Sequence, residues 1–497
     1  MLYSLLPGGW KGEEAAPLLQ ERGRREGKES KEVGKEVVVR RGQYVATLVT
    51  TLGSLCLGTV LGWPAPVLPQ LEEGGLEEGL EEGGLTLQEA TWVAALPSLG
   101  GCLVGPLAGL LITLVGRKVA MLLLLLPVTS GWLLLATTSS LHLLYLSRLL
   151  LGCAAAFSTL APSFIGEVAE VEVRGALASV MQVMTMLGML LTYVLGAFLP
   201  WRPLTWACLA VPLAALPALA LLPNSPVFLL QRGRGEEARA ALHYYRGPDT
   251  QLVDAELLRL RQEVGADASR RTVGLATILA TTSLRRPLLL ATFLMLLQQL
   301  SGIRVVTSYM VGIFRRAGTT LDANTCSMVT AGVQVLGTML AAATVERCGR
   351  RSLLLLSSTL VAAALALLGT YFLLQEALPP WLPLAALLLF SLAYSLGLGP
   401  LPWLLNSELY TAAARPTSSA IGATVNWLAA FLVVKAAPLV EAAVGSAALY
   451  LGLAAVGAVG GALALAALPE TRGRTEGEVA GAWGAGARHR GAYLAIP

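Results

Sequence analysis

Glu346-Arg347-Cys348-Gly349-Arg350-Arg351 separates two apolar blocks, and a similar break occurs earlier at Gly116-Arg117-Lys118. Positions 117 and 350 are 233 residues apart. Two further pairs keep the same order. Glu167 stands seven residues before Arg174, and Glu408 stands seven before Arg415. Pro223-Asn224-Ser225-Pro226 is echoed by Pro469-Glu470-Thr471. Three such pairs at similar offsets mark an internal duplication.

Outward from these breaks the chain is overwhelmingly apolar. Hydrophobic types make up 55% of the 497 residues and charged types 14%, against about 25% charged in a soluble domain. So few charges cannot cover a soluble surface, which argues against a soluble enzyme. Disorder, a coiled coil and a nucleic-acid-binding module are also excluded. A membrane span needs about 20 apolar residues. Twelve such stretches are predicted, near 43–66, 91–114, 119–138, 141–162, 175–199, 203–222, 287–314, 324–345, 351–374, 381–405, 417–440 and 443–468. The resulting plan is an all-α membrane protein: a tail at 1–41, six helices within 42–230, a linker at 231–286, six helices within 287–470 and a tail at 471–497. Glu236–Tyr245 and Leu252–Val264 in the linker read as amphipathic helices.

Lysine and arginine placement sets the orientation. Arg117, Lys118, Arg347, Arg350, Arg351 and the arginines of 231–286 fall on one side, predicted to be cytosolic with both termini. The acidic repeat Leu71–Gly84 falls on the other. Two like-oriented halves, related by an axis along the membrane normal, would place a substrate near the midplane between them.

Enzyme chemistry finds no footing. His142, His243 and His489 are isolated, no phosphate-cradling loop or nucleophile elbow is present, and the six cysteines lack metal or disulfide spacing. No cofactor is expected. The charges at the cytosolic helix ends suit a latch instead. Glu167 and Arg174, Glu408 and Arg415, with Arg117, Arg350 and Arg351 beside them, can bridge helix ends and break when the halves rock. Within the spans, Gln182, Gln298, Gln299, Gln334 and Asn426 offer donors and acceptors that suit hydroxyl groups. Trp403 and Trp427 offer flat faces for a sugar ring. Gly302 after the glutamine pair, Pro64 and Pro66, and Gly397–Pro402 predict broken helices.

Together with Gln298-Gln299-Leu300-Ser301-Gly302-Ile303, the strings Val173-Arg174-Gly175-Ala176-Leu177, Gly399-Pro400-Leu401-Pro402-Trp403, Asn426-Trp427 and Pro469-Glu470-Thr471-Arg472-Gly473 carry a resemblance. Over roughly residues 43–478 the chain resembles the sugar-porter branch of the major facilitator superfamily, the facilitative glucose and arthropod trehalose transporters. The resemblance implies Gln182, Gln298 and Gln299 as sugar ligands, with Gln334 where asparagine is usual. It implies Trp403 below the sugar and Tyr309 in an outer gate. It implies an inner gate of Glu167, Arg174, Glu346, Arg350, Arg351, Glu408 and Arg415.

Three departures stand out. Arg304 replaces the asparagine ligand that usually follows Gly-Ile. It allows a change of selectivity toward an anionic or larger ligand, a block to transport, or a side chain that snorkels outward toward Arg315. Thr113 and Leu114 replace the charged pair usual before Gly116-Arg117. Asn224 and Val227 replace a glutamate and an arginine. The latter two departures predict a weaker latch in the first half.

Span one, at Leu57-Gly58-Thr59-Val60, lacks the acid of proton-driven relatives, which predicts uniport of a hexose or trehalose. The alternatives are a proton-coupled sugar symporter and a non-transporting sugar sensor. Glu14-Ala15-Ala16-Pro17-Leu18-Leu19 resembles an acidic dileucine signal for a sorting adaptor, so the plasma membrane and endosomal-lysosomal membranes are both open as locations. The sugar and the lipid bilayer are the other predicted partners.

Overall fold

Charged residues end an apolar run without ending its helix, so the helices outlast the apolar stretches at several ends. The first crosses as Arg40–Gly74, beyond the expected 43–66 and through the first residues of the acidic repeat. The others are Leu87–Val115, Arg117–Thr137, Leu141–Val168, Val171–Phe198, Trp201–Leu221, Thr282–Ala317, Ala323–Val345, Arg350–Leu373, Leu382–Glu408, Arg415–Val444 and Ser446–Ala467. All twelve are long and apolar enough to cross a membrane. The seventh starts inside the expected linker, because Arg285 and Arg286 continue its helix.

The computed structural model describes residues 40–74, 84–268, 273–411 and 413–468, without the side chains of 266–268 and Glu346. Leu18-Leu19, the acidic repeat after Gly74, Pro469-Glu470-Thr471 and the C-terminal tail lie outside the described residues. No strand occurs among the described residues.

Four spans are discontinuous, at matching places in the two halves. Span one breaks at Trp63 before Pro64. Span four tightens to a 3-10 turn over Gly152–Ala156. Span seven breaks at Gly302, whose φ of 82° is left-handed and favours glycine. Span ten opens over 397–400 between Leu396 and Leu401. Matching interruptions in repeated halves are where transporters expose backbone to a ligand.

Glycine pairs let some spans touch backbone to backbone. A Cβ on Gly58 would stand 2.0 Å from the Thr185 carbonyl oxygen, with the Gly188 Cα at 2.8 Å. A Cβ on Gly152 would stand 2.5 Å from the Pro97 oxygen and 2.6 Å from the Gly100 Cα. Spans one and five, and spans two and four, are thus locked in close crossings.

The described residues form two compact units. The larger holds Thr47–Leu222 and the chain from Gly265 onward. The smaller joins residues 40–46 to Pro223–Val264. In it, Ser225 caps Pro226–Gln231, and the helix Gly235–Arg246 is followed by Thr250–Ala268. Arg246 forks onto both oxygens of Glu256 at 2.7 Å. The Tyr245 hydroxyl donates to the Pro223 oxygen at 2.8 Å, and Gln43 Nε2 donates to the Tyr245 oxygen at 3.2 Å. Burial pushes the Tyr245 phenol above its ordinary range, so it remains a donor at any physiological pH.

Candidate functional site

Two helix breaks and one intact span build a carboxamide cluster. Gly397 admits the close approach of span nine, where its Cβ would meet Ser357 Cβ at 2.4 Å. Ser357 Oγ then donates to the Ala393 oxygen at 2.7 Å and accepts from Leu398 N at 2.8 Å. The break leaves the Leu398 and Gly399 carbonyls to other partners. Gln298 Nε2 donates to both at 2.8 Å. Its Oε1 accepts from Asn426 Nδ2 at 2.9 Å and from Gln299 Nε2 at 3.4 Å. Gln299 Nε2 also donates to Asn426 Oδ1 at 3.0 Å, and Asn426 Nδ2 donates to the Met295 oxygen at 3.0 Å.

Inside this cluster the expected ligands separate by role. Gln298 spends both donors and its acceptor within the protein. Asn426, 0% exposed, positions the glutamines. Gln299 is 1% exposed, and its Oε1 is buried without a hydrogen-bond partner among the described residues. An acceptor in that state is costly unless a ligand hydroxyl reaches it.

The remaining expected ligands lie around this cluster. Gln182 is half-buried on span five, one turn before Met186. Met186 and Met189 pack with Val335 of span eight, the neighbour of buried Gln334. Trp403 is half-buried just past the span-ten break. Tyr309 sits at a non-helical kink (φ −118°, ψ 16°), and its hydroxyl donates to the Val434 oxygen at 3.0 Å. Trp427 does not offer a bare face to a ring, because the Arg304 guanidinium lies over it at 5.1 Å. Arg304 therefore packs inward at the break instead of snorkelling toward Arg315, about 16 Å away along an ideal helix.

Sequence reading missed a second arginine of this kind. Arg148 of span four is 0% exposed. Its Nε donates to the Val93 oxygen at 2.9 Å, both terminal nitrogens reach the Val60 oxygen at 3.4 Å, and the guanidinium lies 4.7 Å over Trp63. The signal was available: a lone basic residue inside an apolar run is functional or structural by default.

The latch charges repeat across the duplication. Gly116 and Gly349 both take positive φ, 81° and 78°. Arg117 Nη1 meets Glu167 Oε1 at 2.6 Å, and Arg350 Nη2 meets Glu408 Oε1 at 2.9 Å. Lys118 Nζ donates to the Ala220 oxygen at 2.8 Å and to the Leu222 oxygen, while Arg351 Nη2 donates to the Leu465 oxygen at 3.0 Å. Arg174 Nη2 donates to the Ala169 oxygen at 3.2 Å, and Arg415 Nε to the Ser407 oxygen at 2.9 Å. Arg117 and Glu167 meet without the charges missing at Thr113 and Leu114. The Glu346 side chain lies outside the described residues.

Contacts joining the halves run from the opposite end down to the middle. Lys435 Nζ of span eleven donates to Thr91 Oγ1 at 2.7 Å and to the Gln88 oxygen at 3.2 Å on span two, 4.4 Å over the Trp92 ring. Trp92 meets Phe431 at 5.9 Å. Arg315 pairs with Glu73. The Tyr193 hydroxyl donates to the Thr307 oxygen at 2.6 Å.

A family model for sugar (and other) transporters matches residues 46–483. The chain belongs to that family. It is 31% identical to the facilitated trehalose transporter Tret1 of Culex quinquefasciatus over 442 residues, which is 87% of this chain and 84% of the relative. It is 32% identical to Tret1 of Drosophila willistoni over 440 residues and spans about half (50%) of that longer relative. The fold matches the inward open xylose transporter XylE from E. coli with a TM-score of 0.73 at 22% identity, over 88% of this chain and 99% of that one. It also matches the proton:xylose symporter XylE bound to 6-bromo-6-deoxy-D-glucose, with a TM-score of 0.71 at 23% identity, over 89% and 99%. The twelve helices are thus the major facilitator fold of a multi-pass membrane protein.

Proposed function

We propose that this protein is a facilitative sugar carrier, a uniporter that moves a hexose or trehalose by alternating access. The observation that carries this reading is the Gln298–Gln299–Asn426 cluster at the coincident breaks of spans seven and ten, with one carboxamide oxygen left for a ligand hydroxyl. Gln182 and Gln334 supply further amides from spans five and eight, and Trp403 an apolar face beneath the ring. The trehalose transporters to which the chain is similar support the same substrate class.

Uniport follows from span one. The span-one groups that face the buried Arg148 are the Val60 carbonyl and the Trp63 ring, and neither exchanges a proton at physiological pH. The Arg117–Glu167 and Arg350–Glu408 pairs each lie within one half; with Arg174, Glu346, Arg351 and Arg415 they brace the helix ends that come together as the cytosolic gate when the halves rock, and both termini are cytosolic. On that orientation the Lys435 end is the outer gate, with Tyr309 behind it, and the conformation described faces inward. The test is counterflow of labelled glucose and trehalose in proteoliposomes, with and without a pH gradient. Exchange indifferent to the gradient is expected. Exchange driven by it would replace the uniporter with a symporter, and binding without exchange would make the protein a sensor.

Leu18-Leu19 on the cytosolic tail is proposed to bind a sorting adaptor and hold the protein in endosomal-lysosomal membranes. Replacing both leucines with alanine should move it to the cell surface; an unchanged distribution removes the adaptor from the picture.

A further inference from the structure

We propose that the site selects a sugar carrying one carboxylate, a uronate-type monoanion, and that Arg304 is the residue that recognises it. This rests on the carrier reading and shifts its preferred substrate from a neutral hexose or trehalose to an acidic sugar.

Arg304 lies two residues past the left-handed Gly302, in the first turn of the half-helix Ile303–Ala317. First-turn N–H groups lack intrahelical acceptors and carry the positive end of the helix dipole, so helix and side chain present the same sign. From Ser301 to Ser308 every residue is buried except Arg304, which keeps part of its surface accessible. The guanidinium lies over Trp427, and Gly101 of span two also lies against that ring, where a Cβ would stand 3.0 Å from Trp427 Cδ2. Arg304 is therefore placed where the two halves meet.

Arg304 forms no ion pair among the described residues. A cation at membrane depth is costly, and the ring face offsets only part of that cost. A carboxylate held by the guanidinium fork would supply the missing charge. The second half of the site is Gln299. It binds Asn426 while Arg304 covers Trp427, the next residue along span eleven. The buried, unpartnered Oε1 of Gln299 can accept a ring hydroxyl. One cation matches a carboxylate; a phosphate dianion would leave surplus negative charge at membrane depth. A neutral sugar would leave Arg304 unpaired.

The experiment is counterflow in proteoliposomes of the full chain, with labelled glucuronate beside labelled glucose. The expected result is glucuronate exchange about tenfold faster than glucose exchange, the size of one modest charge pair. Net glucuronate uptake into empty proteoliposomes should also carry current, because each uncompensated turnover moves one net charge, whereas exchange moves none. Arg304→Lys should keep the preference and Arg304→Asn reverse it. Should the asparagine variant fail to fold, the wild-type melting temperature decides, rising with glucuronate and not with equal glucose. Glucose exchange that glucuronate neither joins nor inhibits overturns the proposal while sparing the carrier reading. Exchange of neither sugar overturns both. A response to glucose 6-phosphate in place of glucuronate overturns the monoanion assignment.

Discussion

Asn426→Leu should abolish sugar exchange and lower the melting temperature of the purified protein. Asn426 is wholly buried, and one side chain serves three partners: the Met295 carbonyl, Gln298 Oε1 and Gln299 Nε2. Leucine fills a similar volume but satisfies none of them. Each buried polar group left unpaired costs about 1–3 kcal/mol, so the three together cost about 3–6 kcal/mol after allowing for relaxation. That is a large fraction of the stability of a typical folded domain. The released glutamines would also lose the orientation that presents Gln299 Oε1. Asn426→Asp keeps the shape and the acceptor for Gln299 but loses both donated bonds, so it should lower the melting temperature as well. A leucine variant with wild-type melting and exchange would show that the cluster is neither structural nor functional. The assay is thermal unfolding in detergent beside counterflow.

Lys435→Met should swing the resting population toward the state open at the Lys435 end. In the conformation described, its ammonium ties span eleven to span two through Thr91, the Gln88 carbonyl and the Trp92 face. Hydrogen bonds from a charged donor are worth about 1.5–3 kcal/mol each when protected from water. Lys435 is only half-buried, so a discounted total near 2 kcal/mol is appropriate. That shifts a two-state equilibrium about 30-fold. The Arg315–Glu73 pair remains, which keeps the shift finite. The check is the distance between spin labels at Leu87 and Val440, both exposed at that end. The methionine variant should show a longer distance without ligand, and an unchanged distribution would remove Lys435 from the gate.

The span count, the duplication and three of the four helix breaks were legible because each rests on local composition: apolar length, Gly-Arg-Arg punctuation, and glycine or proline inside a run. Helix ends were less legible, because Arg285 or Glu73 stops an apolar run while its backbone remains helical. The chemical division of labour among the amides was not legible. Gln298 is consumed by carbonyls 100 and 101 residues away, and Gln299 by Asn426 127 residues away. Pairings at that separation are fixed by tertiary packing, and residue type alone made Gln298, Gln299 and Asn426 equivalent. Arg304 drew notice as a departure from a familiar string. Arg148 matches no such string, and its role rests on tertiary packing: buried in span four, it holds spans one and two by their carbonyls.

Alternating access is tested most directly by two label pairs in one protein. Leu87 with Val440 reports the Lys435 end, and Leu110 with Leu340 reports the latch end; all four side chains are exposed. Under saturating transported sugar, the first distance should lengthen while the second shortens in the same fraction of molecules. Labelled sugar exchanging at full rate while both distances hold still would contradict a carrier that rocks about the Gln298–Gln299–Asn426 cluster.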